Sequence, residues 1–229
     1  MLDIRISAKD LGVLAMPDFC PRCFWIKKKA KKLPWQIFPG IFSSIDAYTK
    51  KTVHEYFDIN KKAPPWLPEL TEAKRYLKAL HWTKFQRTDP VTGITLSGMI
   101  DDMFEFDDMS RMIGDYKTAK YTKNADKLLP IYDIQLNGYA WIEEGFGSVV
   151  RPELPLYYCE PITEPDIKRL EETGFNMGFS VKSVVVKKNT DIIPELLQRV
   201  HDILSDKIPE GKEDCKDCVS LNNIVELIA

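Results

Sequence analysis

Two Cys-x-x-Cys pairs frame this chain of 229 residues: Cys20-Pro21-Arg22-Cys23 near its start and Cys215-Lys216-Asp217-Cys218 near its end. Each pair has the spacing that presents two thiolates to one metal, and four such soft ligands make a closed site. A centre shared by both pairs would clasp the two ends of the domain together, which restricts the folds open to the chain. A tetrahedral Zn²⁺ and a [4Fe–4S] cluster both satisfy four cysteines, and spacing alone does not choose between them. Two disulfides are disfavoured, because the start, Met1-Leu2-Asp3-Ile4-Arg5, lacks the apolar stretch of a secretory signal. A redox Cys-x-x-Cys and unrelated surface cysteines are the other readings. Cys159, in Leu156-Tyr157-Tyr158-Cys159, reads as a small buried strand residue rather than a ligand.

The remaining composition is globular, with 44% hydrophobic and 29% charged residues. The length suits one domain, or one domain with a small appendage, and is enough to bury a full core. No apolar run approaches the length of a membrane span, so a soluble, cytoplasmic protein without a membrane partner is expected. A net charge of -2 does not advertise a polyanion partner, but it can hide a local basic stripe. Lys27-Lys28-Lys29-Ala30-Lys31-Lys32, flanked by Trp25 and Trp35, is the candidate. Such a run can neutralise phosphates while the aromatic rings offer stacking surfaces. It reads equally as a solvated helix face.

Along the chain, Ser7 caps a short helix that stops before Pro17, and 19–32 reads as an amphipathic helix that begins with the first cysteine pair. A longer helical pattern runs from Gly40 to about Asp58, with Ile45, Tyr48, Val53, Tyr56 and Phe57 on its apolar positions. Strands are expected over 81–88 and 94–106, around the turn Asp89-Pro90-Val91-Thr92-Gly93, and over 110–118. Pro130 opens a helix to about Glu144, followed by strands at 154–160 and 179–187 and an amphipathic helix at 192–204. Helix, three strands, helix and strand give an α/β fold with a mixed sheet, in which antiparallel hairpins precede a crossover helix.

The chemistry concentrates in the middle of that pattern, at Asp101 in Gly98-Met99-Ile100-Asp101 and at Asp115 and Lys117 in Asp115-Tyr116-Lys117. In an extended strand Asp115 and Lys117 project to one side and Tyr116 to the other. A hairpin centred on Asp108 sets Asp101 opposite Asp115, Met103 opposite Ile113 and Met99 opposite Lys117. Opposed side chains of that kind stand roughly 5 Å apart at Cβ. Two carboxylates so close repel unless a cation or a proton lies between them, and a hard, oxygen-seeking Mg²⁺ or Mn²⁺ suits the gap. A slip of one residue would substitute Asp102, but Asp102 alternates with Ile100, Phe104 and Phe106 on what reads as the core face. Acids, ammonium and metal together read as a phosphodiesterase site.

Gln135 and Tyr139, four apart in Gln135-Leu136-Asn137-Gly138-Tyr139, share one face of the crossover helix and can point at the strand ends where a scissile phosphate would lie. An acid two residues before a lysine is common here, at Glu72/Lys74, Asp115/Lys117, Asp166/Lys168, Glu210/Lys212 and Asp214/Lys216. Only Asp115 follows a Gly-x-x-Asp strand across a short turn and precedes a helix with Gln and Tyr at that spacing.

This order of features resembles the PD-(D/E)XK nuclease superfamily, in its RecB-like branch, over most of the chain. Cys20-Pro21-Arg22 at the front and a cysteine group at the tail resemble the iron–sulfur nucleases of CRISPR adaptation and of some helicase–nuclease complexes. The resemblance implies a restriction-endonuclease-like core with a central mixed β-sheet flanked by helices. It implies a helical part over 1–78, a catalytic core over 79–190 and a C-terminal part over 191–229, with a [4Fe–4S] cluster on Cys20, Cys23, Cys215 and Cys218 in place of Zn²⁺. The chain departs from those relatives in offering two and two cysteines where they commonly have one and three. The resemblance also implies a histidine ligand in the helix before the strands, and His54 in Thr52-Val53-His54-Glu55 matches, with Glu55 as the substitute.

The expected activity is metal-dependent hydrolysis of nucleic acid, with DNA as the expected substrate and exonuclease or end-processing action. Asp101, Asp115, the Tyr116 carbonyl and His54 would hold the ion, Lys117 would orient water or stabilise developing charge, and Gln135 and Tyr139 would position the strand. The resemblance suggests a helicase, an integrase or a recombination system as partner. The competing class is a non-catalytic nucleic-acid-binding module stabilised by a Cys₄ metal.

Overall fold

The structure is a computed structural model that describes residues 4–30, 39–121, 127–164, 170–171 and 174–228. Lys31, Lys32 and Trp35 of the basic run, and Asp166 and Lys168, lie outside the described residues. The chain opens with β1 (Arg5–Ser7), α1 (Ala8–Gly12), α2 (Pro21–Lys29) and α3 (Gly40–Asn60). Four short strands follow: β2 (Arg75–Leu77), β3 (Gln86–Thr88), β4 (Thr95–Ser97) and β5 (Asp102–Glu105). Next come β6 (Arg111–Lys117), α4 (Leu129–Gly145), β7 (Glu153–Pro161), β8 (Leu170–Glu171), β9 (Gly174–Phe175) and β10 (Phe179–Lys187). Two helices, α5 (Ile192–Ser205) and α6 (Lys216–Ile228), complete it.

The result is an α/β fold with mixed sheets flanked by helices. The main sheet has five strands in the order β10-β7-β6-β5-β2. β5 and β6 form an antiparallel hairpin, α4 crosses over, and β7 returns parallel to β6, as Asp115 pairs with Leu156. A crossover of this length is what parallel neighbours require. β6 is central, and Met112 to Tyr116 are all buried, as a strand covered on both faces must be.

Alternation along the strands divides the core into two apolar layers. Met103, Ile113, Leu156 and Tyr158 pack on one face with residues of α1, α4 and α5. Phe104, Met112, Tyr116, Tyr157 and Cys159 pack on the other with Val53 and Phe57 of α3. The stripe Ile193, Leu196, Leu197, Val200 and Leu204 buries one side of α5. α4 is tied to the start of β6 by an ion pair between Arg111 and buried Glu143. Among the described residues no helix is long and apolar enough to cross a membrane.

The expected strand over 94–106 is two strands in two sheets. β4 belongs to a three-stranded sheet with β1 and β3, and β5 to the main one. The break falls at 98–101, where a Cβ on Gly98 would lie 2.3 Å from the Tyr139 ring, so only glycine lets that ring cross the chain. Pairing with β6 therefore ends at Asp102↔Gly114, and Met99 is exposed rather than set against Lys117. The expected strand over 81–88 shortens to Gln86–Thr88, because the N–H groups of Lys84 and Phe85 turn back to the His81 carbonyl. The helix expected over 19–32 starts at Pro21, with proline in its first turn.

Candidate functional site

Asp101 stands just before the start of β5, one residue short of the paired register, whose extension would set it opposite Asp115 on β6. Continued pairing would bring residue 100 to Tyr116. Instead the Asp101 carboxylate takes that N–H, with Tyr116 N donating to Oδ2 at 3.0 Å. The broken strand thus frees a carboxylate to cap the ladder beside its neighbour. Asp115 is 1% exposed. Burial first, and then the Asp101 carboxylate, push Asp115 up to about 7 against the pull of the Lys117 ammonium.

Lys117, two residues on, ion-pairs with Asp115 Oδ2 and lies over the Tyr132 ring at 4.5 Å. Its Nζ also donates to Gln135 Oε1 at 3.4 Å. Gln135 Nε2 donates to Asp115 Oδ1 at 3.1 Å and to the Tyr139 hydroxyl at 2.7 Å. Burial, followed by the nearby Asp115 charge, drives the Tyr139 phenol upward, so it remains protonated. Asp101, Asp115, Lys117, Gln135 and Tyr139 all line one cleft of about 840 Å³. Three segments distant in sequence are brought together there.

His54 lies elsewhere. Its Nε2 contacts the two oxygens of Asp102 at 2.9 and 3.0 Å, and its ring stacks on Tyr76 at 4.0 Å. Asp102 occupies the α3 face of the sheet with Phe104, as alternation predicts, and also accepts from the Tyr116 hydroxyl at 3.0 Å. The bond to Asp102 raises the His54 pKa above its ordinary value. Burial raises Asp102 in turn, against the pull of His54 and Tyr116. The arrangement is an imidazole clamped on a buried acid, on the far side of β5 from Asp115.

α3 does bring Asp46 to the cleft wall, two turns before His54, and Lys50, one turn before it, reaches the Asp101 carboxylate. Lys50 Nζ lies 2.8 Å from Asp101 Oδ1 and 2.9 Å from Asp46 Oδ2. Burial disfavours its charge, but the two acids outweigh that and hold its pKa above the usual value. Neither residue was singled out from the sequence, although 46, 50 and 54 share a helix face. Glu55 is exposed and faces Lys51 at 3.6 Å.

The four cysteines meet. Cys20 Sγ lies 3.6 Å from Cys218 Sγ, and Cys23 Sγ lies 3.6 Å from Cys215 and 3.4 Å from Cys218. All four sulfurs fall within 4.8 Å of one another, so they could hold a metal, whether Zn²⁺ or an iron–sulfur cluster. α2 supplies one thiol and its flank another, while α6 begins between the second pair. A Cβ on Gly211 would lie 2.9 Å from Cys218 Sγ, so glycine lets the approach to α6 pass over the sulfurs. Burial opposes ionisation of Cys20, but the N–H groups of Cys23 and Lys212 prevail and bring its thiol down to about 6. Burial and the adjoining thiols push Cys23 and Cys218 up. Cys159 sits apart in the α3-side core, its thiol raised to about 11 by burial.

Of the basic run, Lys28 and Lys27 both pair with Asp10, and Lys29 lies over Trp25 at 5.7 Å. All three are engaged by neighbours on the same part of the chain.

No protein-family model and no curated protein matches this sequence. Among solved structures, one described as "Crystal structure of SSO0001" aligns with a TM-score of 0.50 and 13% identity, over 90% of this chain and 77% of that one. At that identity the likeness is one of fold alone.

Proposed function

We propose that this protein is a metal-dependent nuclease that hydrolyses phosphodiester bonds of nucleic acid, DNA foremost, on a restriction-endonuclease-like core taken as one domain. The observation that carries the proposal is the single cleft in which Asp101, Asp115, Lys117, Gln135 and Tyr139 converge. The site fits a divalent cation because two carboxylates face each other there and the buried one resists ionisation. Asp101, Asp115 and the Tyr116 carbonyl would hold it, a donor set suited to Mg²⁺ or Mn²⁺, which keep waters and share substrate phosphates. When bound, such an ion lowers the pKa of a coordinated water and offsets charge on the phosphate. Lys117 has no lone pair to ligate with, and its ammonium is placed to stabilise negative charge building beside Asp115. Gln135 fixes the orientation of Asp115 and Lys117 together and is itself held by the Tyr139 hydroxyl.

The cysteine centre has a different part, holding the two ends of the chain together. Sulfurs 3.4–3.6 Å apart favour a single tetrahedral ion such as Zn²⁺, whose bonds of about 2.3 Å put ligand sulfurs a little under 4 Å apart. A [4Fe–4S] cluster gives each cysteine its own iron and needs wider spacing. A helicase, integrase or recombination partner rests on the family resemblance alone, and a cytoplasmic setting on the lack of an apolar span in the sequence.

The test is cleavage of free-ended and end-blocked, single- and double-stranded DNA and RNA with Mg²⁺, Mn²⁺ or EDTA. Metal-dependent, EDTA-sensitive cleavage of at least one substrate is expected. Binding without cleavage under every metal condition would instead establish the non-catalytic module. Metal analysis of anaerobically purified protein is expected to give one colourless zinc per chain, whereas a brown protein would restore the cluster.

A further inference from the structure

We infer that α3 contributes Asp46, and not His54, to the divalent-cation site. The inference rests on the nuclease reading and concerns which side chain completes the pair Asp101 and Asp115. One ammonium, Lys50 Nζ, bridges Asp46 Oδ2 at 2.9 Å and Asp101 Oδ1 at 2.8 Å, so the two oxygens can be no farther apart than those distances combined. A cationic centre therefore already lies between a helix carboxylate and a strand-end carboxylate. Asp46 also lines the cleft that holds Asp101 and Asp115. Its side chain is 43% exposed and held by Lys50, in contrast to buried Asp115.

His54 has the opposite constraints. To face Asp115 its imidazole would abandon Asp102, a carboxylate only 1% exposed, and the stacked ring of Tyr76. Removing the partner of a buried charge is strongly destabilising. The register of α3 reinforces the difference, since the side chain at 46 lines the cleft, that at 50 reaches Asp101, and the next turn, at 54, already meets Asp102. A carboxylate also matches Mg²⁺ or Mn²⁺ better than an imidazole does, because hard cations select oxygen.

Mn²⁺ binding followed by EPR in the zinc-loaded full chain tests this without any turnover, since thiolates are poor Mn²⁺ ligands. D46N is expected to weaken Mn²⁺ binding about tenfold or more, the scale on which even outer partners of a metal site act. D115N should weaken it further. Pulsed EPR of Mn²⁺ bound to the wild-type chain should show no nitrogen coupling from a ligating imidazole, a readout that needs no His54 variant to fold. Nitrogen coupling, or D46N binding Mn²⁺ as tightly as wild type while D115N loses it, overturns the Asp46 assignment alone. A wild-type chain with no saturable Mn²⁺ binding overturns the nuclease reading with it.

Discussion

The carboxylate cleft and the cysteine cluster both gather metal-ligating groups, yet they balance their charge in opposite ways. In the cleft the chain supplies its own cations: Lys50 bridges Asp46 and Asp101, and Lys117 pairs with Asp115. At the cysteines, four sulfurs meet within 4.8 Å, and the help for a thiolate comes from the N–H groups of Cys23 and Lys212. Four thiolates that close need a metal to coexist. Three acids with two lysines do not. On the proposed reading a divalent ion in the cleft would therefore come and go with substrate, whereas a metal on the cysteines would be part of the fold.

The sharpest break in that comparison is removal of a cysteine. Cys23→Ser should detach the terminal segments and cost several kcal/mol, below the ~10–16 kcal/mol of zinc-finger peptides, because this chain has a core of its own. Thermal melts with and without a strong chelator check it. A midpoint unmoved by both would make the cysteines ornamental.

Next in size is Lys117→Met, expected to lower cleavage about 10²–10³-fold, as loss of a charge-stabilising donor does. It should also leave Asp115 buried beside Asp101 without its counter-charge, so that stability depends on added Mn²⁺ more steeply than in wild type. Loss of cleavage without that dependence would separate Lys117 from Asp115.

His54→Ala should cost about 3 kcal/mol by stranding the Asp102 charge. The His54 pKa is raised on folding by Asp102, so its contribution is full below the ordinary imidazole value and fades as pH rises through the raised one. Denaturant melts should show a larger deficit near about pH 6 than in alkali, and a deficit constant across pH would contradict the ion pair. The smallest effect is assigned to Lys27→Ala, under about 1 kcal/mol in stability, because its side chain is half exposed where it pairs with Asp10. Nucleic-acid affinity is expected to hold, and a steep loss of binding would return the basic run to the interface.

The elements legible in the sequence were those with unbroken periods. The helix expected from Pro130 to about Glu144 is Leu129–Gly145, the strand expected over 179–187 is β10, and Met103 does face Ile113. The break between β4 and β5 was hidden, because alternation of apolar residues runs through Gly98 and the cause is a ring, Tyr139, that packs there from forty residues away. β1 and β2 are three residues each, too short for a pattern. α6, beyond the second cysteine pair, was not anticipated, although its sequence carries Val219, Leu221, Ile224, Val225 and Leu227. At the site, Asp101, Asp115 and Lys117 followed from strand geometry, and Gln135 and Tyr139 from helical spacing. Asp46 and Lys50 escaped because an acid and a lysine four apart on a helix look like any solvated pair. His54 misled because sequence does not reveal that the acid it would meet is Asp102.

The most direct test is Mn²⁺-dependent cleavage by Asp115→Ala beside wild type, with zinc content and melting midpoint measured on the same samples. The account predicts cleavage by wild type and none by the variant, with zinc retained and the midpoint within a few degrees. A variant that cleaves at the wild-type rate would contradict it.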